Sequence, residues 1–170
     1  MLSVLDVAPD FEAGGVGDRG EPLEVRLADR RGAWVVLFFY PRDFTPVCPT
    51  EVRELGKRRA ELGAAAYAIS VDDAATHRRW IAEVLGEAGV PLLADPGGAI
   101  ARSYGVLLER EGVAARATFA IDPGGVIQYA AVHNLNVGRS ISELVRVMEA
   151  LRHGEAVPAG WQPGQPTLGR

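Results

Sequence analysis

The chain has 170 residues, of which 48% are hydrophobic, and it carries a net charge of -4 with a pI near 5.4. This length and apolar content predict one domain with a sizeable core, and the acidic balance without a cationic block argues against nucleic acid as a partner. The start of the chain, MLSVLDVAPDFEAGG, lacks the pattern of a signal peptide, and no apolar run reaches the about 20 residues of a membrane span. A soluble, cytoplasmic protein without a membrane partner is therefore expected.

Hydrophobic patterns predict strands that alternate with helices. Continuous apolar and β-branched runs indicate buried strands, and apolar residues on one helical face indicate helices. In chain order, the predicted elements are a strand over 34–40 (WVVLFFY), a helix from Pro49 to about Leu62, a strand over 64–71, a helix over 76–85, and strands over 91–95, 117–122 and 126–132, followed by a helix over 141–152. The PGG between the last two strands is a hairpin signal. This order predicts an α/β layer fold with a mixed sheet.

The last 18 residues, HGEAVPAGWQPGQPTLGR, are rich in Pro and Gly and predict an extended arm without a packed helix. The expected organisation is one domain over 1–152 and a C-terminal arm over 153–170. GGAIARSYG (97–105) lacks the glycine spacing of a dinucleotide loop and predicts a turn into a helix.

Cys48 is the only cysteine, which excludes an internal disulfide framework and a cysteine-rich zinc site. It is expected at the start of a helix, where free N–H groups and the helix dipole favour an anion and where Pro49 fits the first position. A free thiol has a pKa of about 8.5 and is only a few per cent ionised at pH 7. The dipole alone is too weak to reverse this, but an adjacent arginine would make the thiolate the major form. Arg42 and Arg116 are the candidates, and Arg42 is the better candidate for a solvated loop charge.

The stretch YPRDFTPVCPTE carries Pro41, Thr45 and Cys48 as P-x-x-x-T-x-x-C and resembles the active-site signature of the peroxiredoxins. Other segments are similar to the typical two-cysteine, or alkyl hydroperoxide reductase, branch: APDFEA, ISVDDAATHRRW, PLLADPGGAIARSYGVL, RATFAIDPGGVIQYAAV, LNVGRS and HGEAVPAGWQPG. The resemblance covers almost the whole chain. It implies a thioredoxin-like α/β fold, in which helices flank a central mixed sheet, and reduction of hydroperoxides by the Cys48 thiolate.

The resemblance also implies roles for individual residues. Cys48 would be the peroxidatic cysteine, Thr45 would hydrogen-bond the peroxide, Pro41 would shield the site, and Arg116 would stabilise the thiolate. Thiolate attack breaks an O–O bond and places negative charge on the departing oxygen, so fixed donors such as Arg116 favour the transition state. No cofactor and no metal are expected.

Two further positions match family residues. Arg139 in NVGRS matches a second arginine near the pocket, although a surface ion pair is an equal alternative, and Glu51 matches a carboxylate that orients an arginine. The histidines lack the spacing of metal ligands and are interpreted as ordinary polar residues; they are His77, His133 and His153.

One departure from the two-cysteine branch changes the expected cycle. That branch carries a resolving cysteine in a V-C-P segment ahead of a tryptophan, and here EAVPAGW places Val157 at this position. The expected cycle therefore uses one cysteine, and an external thiol, from a thioredoxin-like protein or a small molecule, reduces the Cys48 sulfenic acid. The Gly-Gly-Leu-Gly loop and the Tyr-Phe helix, which are associated with sensitivity to overoxidation, have no counterpart either. The family resemblance implies hydrogen peroxide or an alkyl hydroperoxide as substrate and a homodimer, with a ring of dimers left open.

A second class of function remains open from the sequence. A non-enzymatic thioredoxin-fold oligomer could act as a holdase chaperone or as a redox sensor with Cys48 as its reporter. A holdase needs exposed apolar surface and has no use for a charge-stabilised thiolate. Thr45 and Arg116 therefore favour the peroxidase.

Overall fold

The structure is a computed structural model that describes residues 1–169. Its core is a mixed seven-stranded sheet with helices on both faces. The strands are β1 (Glu12–Val16), β2 (Pro22–Arg26), β3 (Val35–Phe39), β4 (Ala65–Ser70), β5 (Leu92–Ala94), β6 (Leu107–Leu108), β7 (Val113–Ala114), β8 (Arg116–Ile121) and β9 (Ile127–His133). The α-helices are α1 (Cys48–Arg58), α2 (Ala74–Trp80), α3 (Ala99–Ser103) and α4 (Ile141–His153). The expected α/β fold with a thioredoxin-like mixed sheet is confirmed.

The strand order β2-β1-β5-β4-β3-β8-β9 places β3 near the middle of the sheet, parallel to β4 and antiparallel to β8. All five residues of β3 are buried, because its alternating side chains enter separate cores on the two faces. Val36 and Phe38 pack with α1, α2 and α4, while Leu37 and Phe39 pack with α3. The carboxyl end of this buried strand is thus a rigid support for the loop that follows it. The short strands β6 and β7 form a separate pair.

The N-terminal hairpin of β1 and β2 was not predicted from the sequence. The segment EAGGV reads as a loop because glycine is unfavourable within strands. Gly15 is required for packing, since a Cβ there would overlap the Leu92 carbonyl oxygen of the neighbouring β5.

Two of the predicted helices differ in detail from the observed ones. The segment predicted to run to Leu62 is α1 followed by a 3₁₀ turn, Arg59–Leu62. The helix predicted over 76–85 begins earlier, because the Asp73 carboxylate accepts a hydrogen bond of 2.7 Å from the Thr76 amide, and it ends in a π-helical turn, Ile81–Leu85.

The segment after α4 contains no helix over residues 154–169, and the remaining residue of the predicted arm, Arg170, lies outside the described residues. Ala156 and Gly169 form a bridge that closes this segment on itself. Trp161 is buried and lies edge-on to His153, and its carbonyl accepts a hydrogen bond from Arg146 of α4. These contacts attach the segment to α4.

Within residues 1–169, no helix is long and apolar enough to cross a membrane.

Candidate active site

Cys48 lies where the central strand β3 passes into α1. It is the first residue of α1 and is fully buried, with 0% of its surface exposed. The preceding residue, Val47, has no side-chain oxygen to cap the helix, while Pro49 lacks an N–H and fits the first turn. The remaining N–H groups of the helix start are thus directed to the site at which the sulfur lies. The predicted placement of the thiol at a helix N-terminus is observed.

Arg116, the first residue of β8, reaches the sulfur across the sheet. Its Nη1 lies 3.4 Å from the Cys48 Sγ and donates a hydrogen bond of 2.7 Å to Glu51. Its Nε donates to the Leu135 carbonyl at 2.7 Å. The side chain is 3% exposed, so the guanidinium is held in one orientation, away from competing water.

Glu51 connects this guanidinium to a second one. It lies one helical turn after Cys48 and binds Arg139 with both carboxylate oxygens, at 2.9 Å to Nε and 2.9 Å to Nη2. Arg139 also lies over the Phe38 ring and donates to Thr118. Its side chain is 5% exposed, so it is a buried residue of the site and the alternative of a surface ion pair is wrong. Glu51, Arg116 and Arg139 are named the arginine cluster below.

The charges of the arginine cluster favour an anion at Cys48. Burial raises the pKa of Glu51, but the hydrogen bonds and charge of Arg139, aided by the charge of Arg116, outweigh it and hold the pKa below its usual range. Burial lowers the pKa of Arg139, and Glu51 opposes this change. Two guanidinium charges and one carboxylate leave one positive charge, which a thiolate at Cys48 neutralises. A buried charge needs such a partner.

The loop between β3 and α1 carries the other predicted residues. Pro41 is buried, Thr45 is half-buried and Arg42 is exposed. The Thr45 hydroxyl donates to the Arg42 carbonyl at 3.0 Å, so its oxygen lone pairs remain available as acceptors for an O–H group of a ligand. Arg42 is thus a solvated loop charge, as expected, and Arg116 is the arginine beside the thiol.

A second buried polar group was missed in the sequence. His77 of α2 is 0% exposed, and its Nδ1 lies 2.8 Å from the Asp43 carboxylate, which also accepts a hydrogen bond of 2.8 Å from the Tyr40 hydroxyl. Asp43 and His77 are 34 positions apart, and no local spacing signals their contact. Interpreting His77 as an ordinary polar residue was correct in excluding a metal, since no group of metal-binding side chains occurs among residues 1–169. It missed the buried pair.

The arrangement supplies what a thiolate nucleophile requires. The sulfur is flanked by a fixed cation and a helix N-terminus, in a buried site where electrostatic interactions are strong. Arg116 can also donate to a negatively charged leaving group.

Comparison with known proteins agrees with this geometry. Residues 4–130 match the AhpC/TSA family, and residues 150–168 match the C-terminal domain of 1-Cys peroxiredoxin. Peroxiredoxin-2 of Bos taurus is 44% identical over 173 residues, covering 95% of this chain and 86% of the relative.

Solved structures give the same result. The reduced 2-Cys peroxiredoxin of Plasmodium vivax superposes with a TM-score of 0.90 at 35% identity, covering 98% of this chain and 92% of the other. AhpC of Enterococcus faecalis superposes with a TM-score of 0.85 at 37% identity, covering 93% and 99%. The chain therefore belongs to the AhpC/TSA family, the peroxiredoxins.

Proposed function

We propose that the chain is a thiol peroxidase that reduces hydrogen peroxide and alkyl hydroperoxides through one cysteine. The observation that carries this proposal is the contact of 3.4 Å between the Arg116 guanidinium and the Cys48 sulfur, both buried. Family membership supports thiol-dependent peroxidase activity. A chaperone surface would not require a buried thiol that faces a fixed cation.

The first half of the cycle oxidises Cys48. The thiolate attacks one peroxide oxygen, the S–O bond forms as the O–O bond breaks, and the departing oxygen takes a proton to leave as water or an alcohol. Arg116 stabilises the thiolate and the charge that develops on the two oxygens. The Thr45 oxygen accepts from the peroxide O–H and orients it, while Pro41 excludes water.

The arginine cluster positions this chemistry. Glu51 fixes Arg116 from one side and Arg139 fixes Glu51 from the other, so that Arg116 does not have to reorganise as charge moves. Glu51 and Arg139 are thus positioning residues that act through Arg116.

The second half of the cycle requires an external thiol. With Val157 at the position of the resolving cysteine, Cys48 sulfenic acid is attacked by a thioredoxin-like protein or a small thiol, which forms a mixed disulfide and releases water. A second thiol then restores Cys48 and leaves as part of a disulfide. Without a resolving thiol, a second peroxide would instead oxidise the sulfenic acid to sulfinic acid.

Intact mass after one equivalent of hydrogen peroxide tests this cycle. We expect a single added oxygen that dimedone traps, and monomers on a non-reducing gel, because buried thiols cannot approach to the about 5–6 Å Cα separation of a disulfide. A second equivalent should give sulfinic acid unless an external thiol is added first.

The control is Cys48→Ser, which should take up no oxygen under the same conditions. A strong dimer band from the unmodified protein would contradict the one-cysteine cycle, and a wild-type mass unchanged by peroxide would contradict peroxidase activity itself.

Assembly and location are also part of the proposal. The last strand of the sheet, β9, has an edge at which a second copy could add, which supports a homodimer. Sedimentation at several concentrations would test for dimers and for rings of dimers. A working thiol that must be kept reduced fits the cytoplasm. We retain the proposed division into a domain over 1–152 and an arm over 153–170.

A further inference from the structure

The proposed cycle requires Cys48 to meet a reactant larger than the peroxide. The sulfur is 0% exposed and lies against Arg116. A reductant must place its own sulfur in line with the S–O bond to form a disulfide, which for two protein thiols brings their Cα atoms to about 5.5–6 Å. The active-site loop, residues 40–47 between β3 and α1, must therefore move to admit the reductant.

Asp43 is the residue that ties the outer part of this loop to the protein. Among residues 42–47 it alone is buried, with 3% of its surface exposed. Its carboxylate receives the Tyr40 hydroxyl and faces His77 of α2, and its backbone N–H donates to Asp72 at 2.8 Å. These residues lie away from the arginine cluster and have no part in the peroxide chemistry described above. Tyr40, Asp43 and His77 are named the loop latch.

The loop latch is well formed as a hydrogen-bonded unit. His77 faces an acceptor at each ring nitrogen, the Asp43 carboxylate at 2.8 Å and the Leu93 carbonyl at 3.2 Å. One proton must therefore lie between Asp43 and Nδ1, and a second must point to Leu93. Burial, aided by the charge of Asp43, raises the pKa of Tyr40, so its hydroxyl remains a donor.

The loop beside the latch is in a strained conformation. Phe44 has a φ of 55°, a left-handed value that is uncommon for residues other than glycine, and its ring is 42% exposed under the Arg79 guanidinium. Such a conformation persists only where the surroundings enforce it. Asp43, the preceding residue, supplies that constraint, so release of the latch relieves strain in the loop.

We propose that the loop latch sets how often the active-site loop opens to admit the thiol reductant, and that Asp43 and His77 are positioning residues for the second half of the cycle. The proposal rests on the one-cysteine function above. It predicts opposite effects on the two half-reactions. A weakened latch exposes the sulfenic acid and speeds reduction, whereas it also displaces Cys48 from Arg116 and slows oxidation.

The test measures the two half-reactions separately by stopped flow, with hydrogen peroxide for oxidation and 2-mercaptoethanol for reduction of the preformed sulfenic acid. Asp43→Ala removes the acceptor for both Tyr40 and His77, and Tyr40→Phe removes one hydroxyl without a change of shape. We expect Asp43→Ala to speed reduction at least about tenfold, which corresponds to about 1.4 kcal/mol of lost closure. Tyr40→Phe should give a smaller acceleration, and both variants should slow oxidation.

The matched control is Asp29→Ala, the same change at an exposed position of the 3₁₀ turn Leu27–Arg30, which should leave both rates unchanged. If Asp43→Ala does not fold, Tyr40→Phe still decides the question. Reduction rates equal to those of the wild type, or a parallel loss of both rates, would overturn the latch, because a merely structural defect accelerates neither step.

A measurement without peroxide separates the latch from the peroxidase proposal. Iodoacetamide should alkylate Cys48 faster in folded Asp43→Ala than in folded wild type, since the loop exposes the sulfur more often. Alkylation at the wild-type rate would refute the latch even if the protein is a peroxidase. Conversely, a wild-type protein inert to peroxide but with this alkylation difference would refute the peroxidase and keep the latch.

Discussion

The arginine cluster and the loop latch are two buried polar groups near the same cysteine, and they differ in what they contact. The arginine cluster reaches the sulfur directly and carries one uncompensated positive charge until Cys48 ionises. The loop latch contacts no reacting atom and holds the backbone that precedes Cys48. One group thus stabilises charge in the reaction, and the other controls access to it. Substitutions in the two groups should therefore have separable consequences.

The largest effect is expected from Glu51→Ala, which breaks the arginine cluster at its centre. Two buried guanidinium groups would lose their shared carboxylate, and loss of one partner of a buried ion pair costs about 3–5 kcal/mol. Urea unfolding measures the change in the free energy of unfolding.

The matched control is Glu143→Ala, because Glu143 pairs with Arg146 at 2.6 Å while 49% of its side chain is exposed. An exposed pair contributes about 0–1 kcal/mol. Equal losses in the two variants would show that the arginine cluster contributes no more than a surface pair.

The next effect concerns the rate of oxidation. Arg116→Ala should slow the reaction of Cys48 with peroxide by about 10²–10³-fold, the scale of losing one fixed donor to a developing anion. Arg116→Lys keeps the charge but cannot reach the sulfur, Glu51 and Leu135 together, so it should recover only part of the rate. Single-turnover stopped flow gives the rate constant.

This variant also sharpens the comparison with the latch. Asp43→Ala should slow oxidation less than Arg116→Ala does, and only Asp43→Ala should speed reduction by a small thiol. If Arg116→Ala oxidises at the wild-type rate, the guanidinium is a structural group and its proximity to the sulfur has no catalytic use.

The two groups were not equally predictable from the sequence. Thr45, Cys48 and Glu51 lie in one short segment, and their spacing, with Arg116 at the start of an apolar strand, resembles a known family pattern. The helix start at Cys48 followed from Pro49 and the preceding apolar run. The pairing of Asp43 with His77 depends on the packing of α2 against β5, which periodicity does not encode. Likewise, β1 was missed because Gly15 serves a close approach of two strands.

A smaller effect is expected in the pH dependence of stability. The pKa of Glu51 is lowered, so its carboxylate stabilises the folded state above the unfolded value of about 4.3, and this contribution is lost as the pH falls through the folded pKa. Each pH unit of lowering corresponds to about 1.4 kcal/mol. The difference in melting temperature between wild type and Glu51→Gln should therefore shrink on acidification below pH of about 4.3.

The comparison with Glu51→Gln isolates one carboxyl group. Burial raises the pKa of Asp95, which gives the opposite pH dependence, but Asp95 is present in both proteins and cancels in the difference. A difference in melting temperature that stays constant down to acid pH would contradict a lowered pKa at Glu51.

The smallest effect is expected at Thr45, in the loop between the two groups. Its hydroxyl donates to the Arg42 carbonyl and offers lone pairs to the peroxide, so Thr45→Val removes two neutral hydrogen bonds while it preserves the shape. A neutral hydrogen bond contributes about 0.5–1.5 kcal/mol, so loss of the one to peroxide should slow oxidation by about two- to tenfold. Thr45→Ser restores the hydroxyl and should restore most of the rate, with little change in melting temperature for either variant. Equal oxidation rates for threonine, serine and valine would remove Thr45 from the chemistry, and faster reduction of the valine variant by thiol would assign it to loop closure beside Asp43.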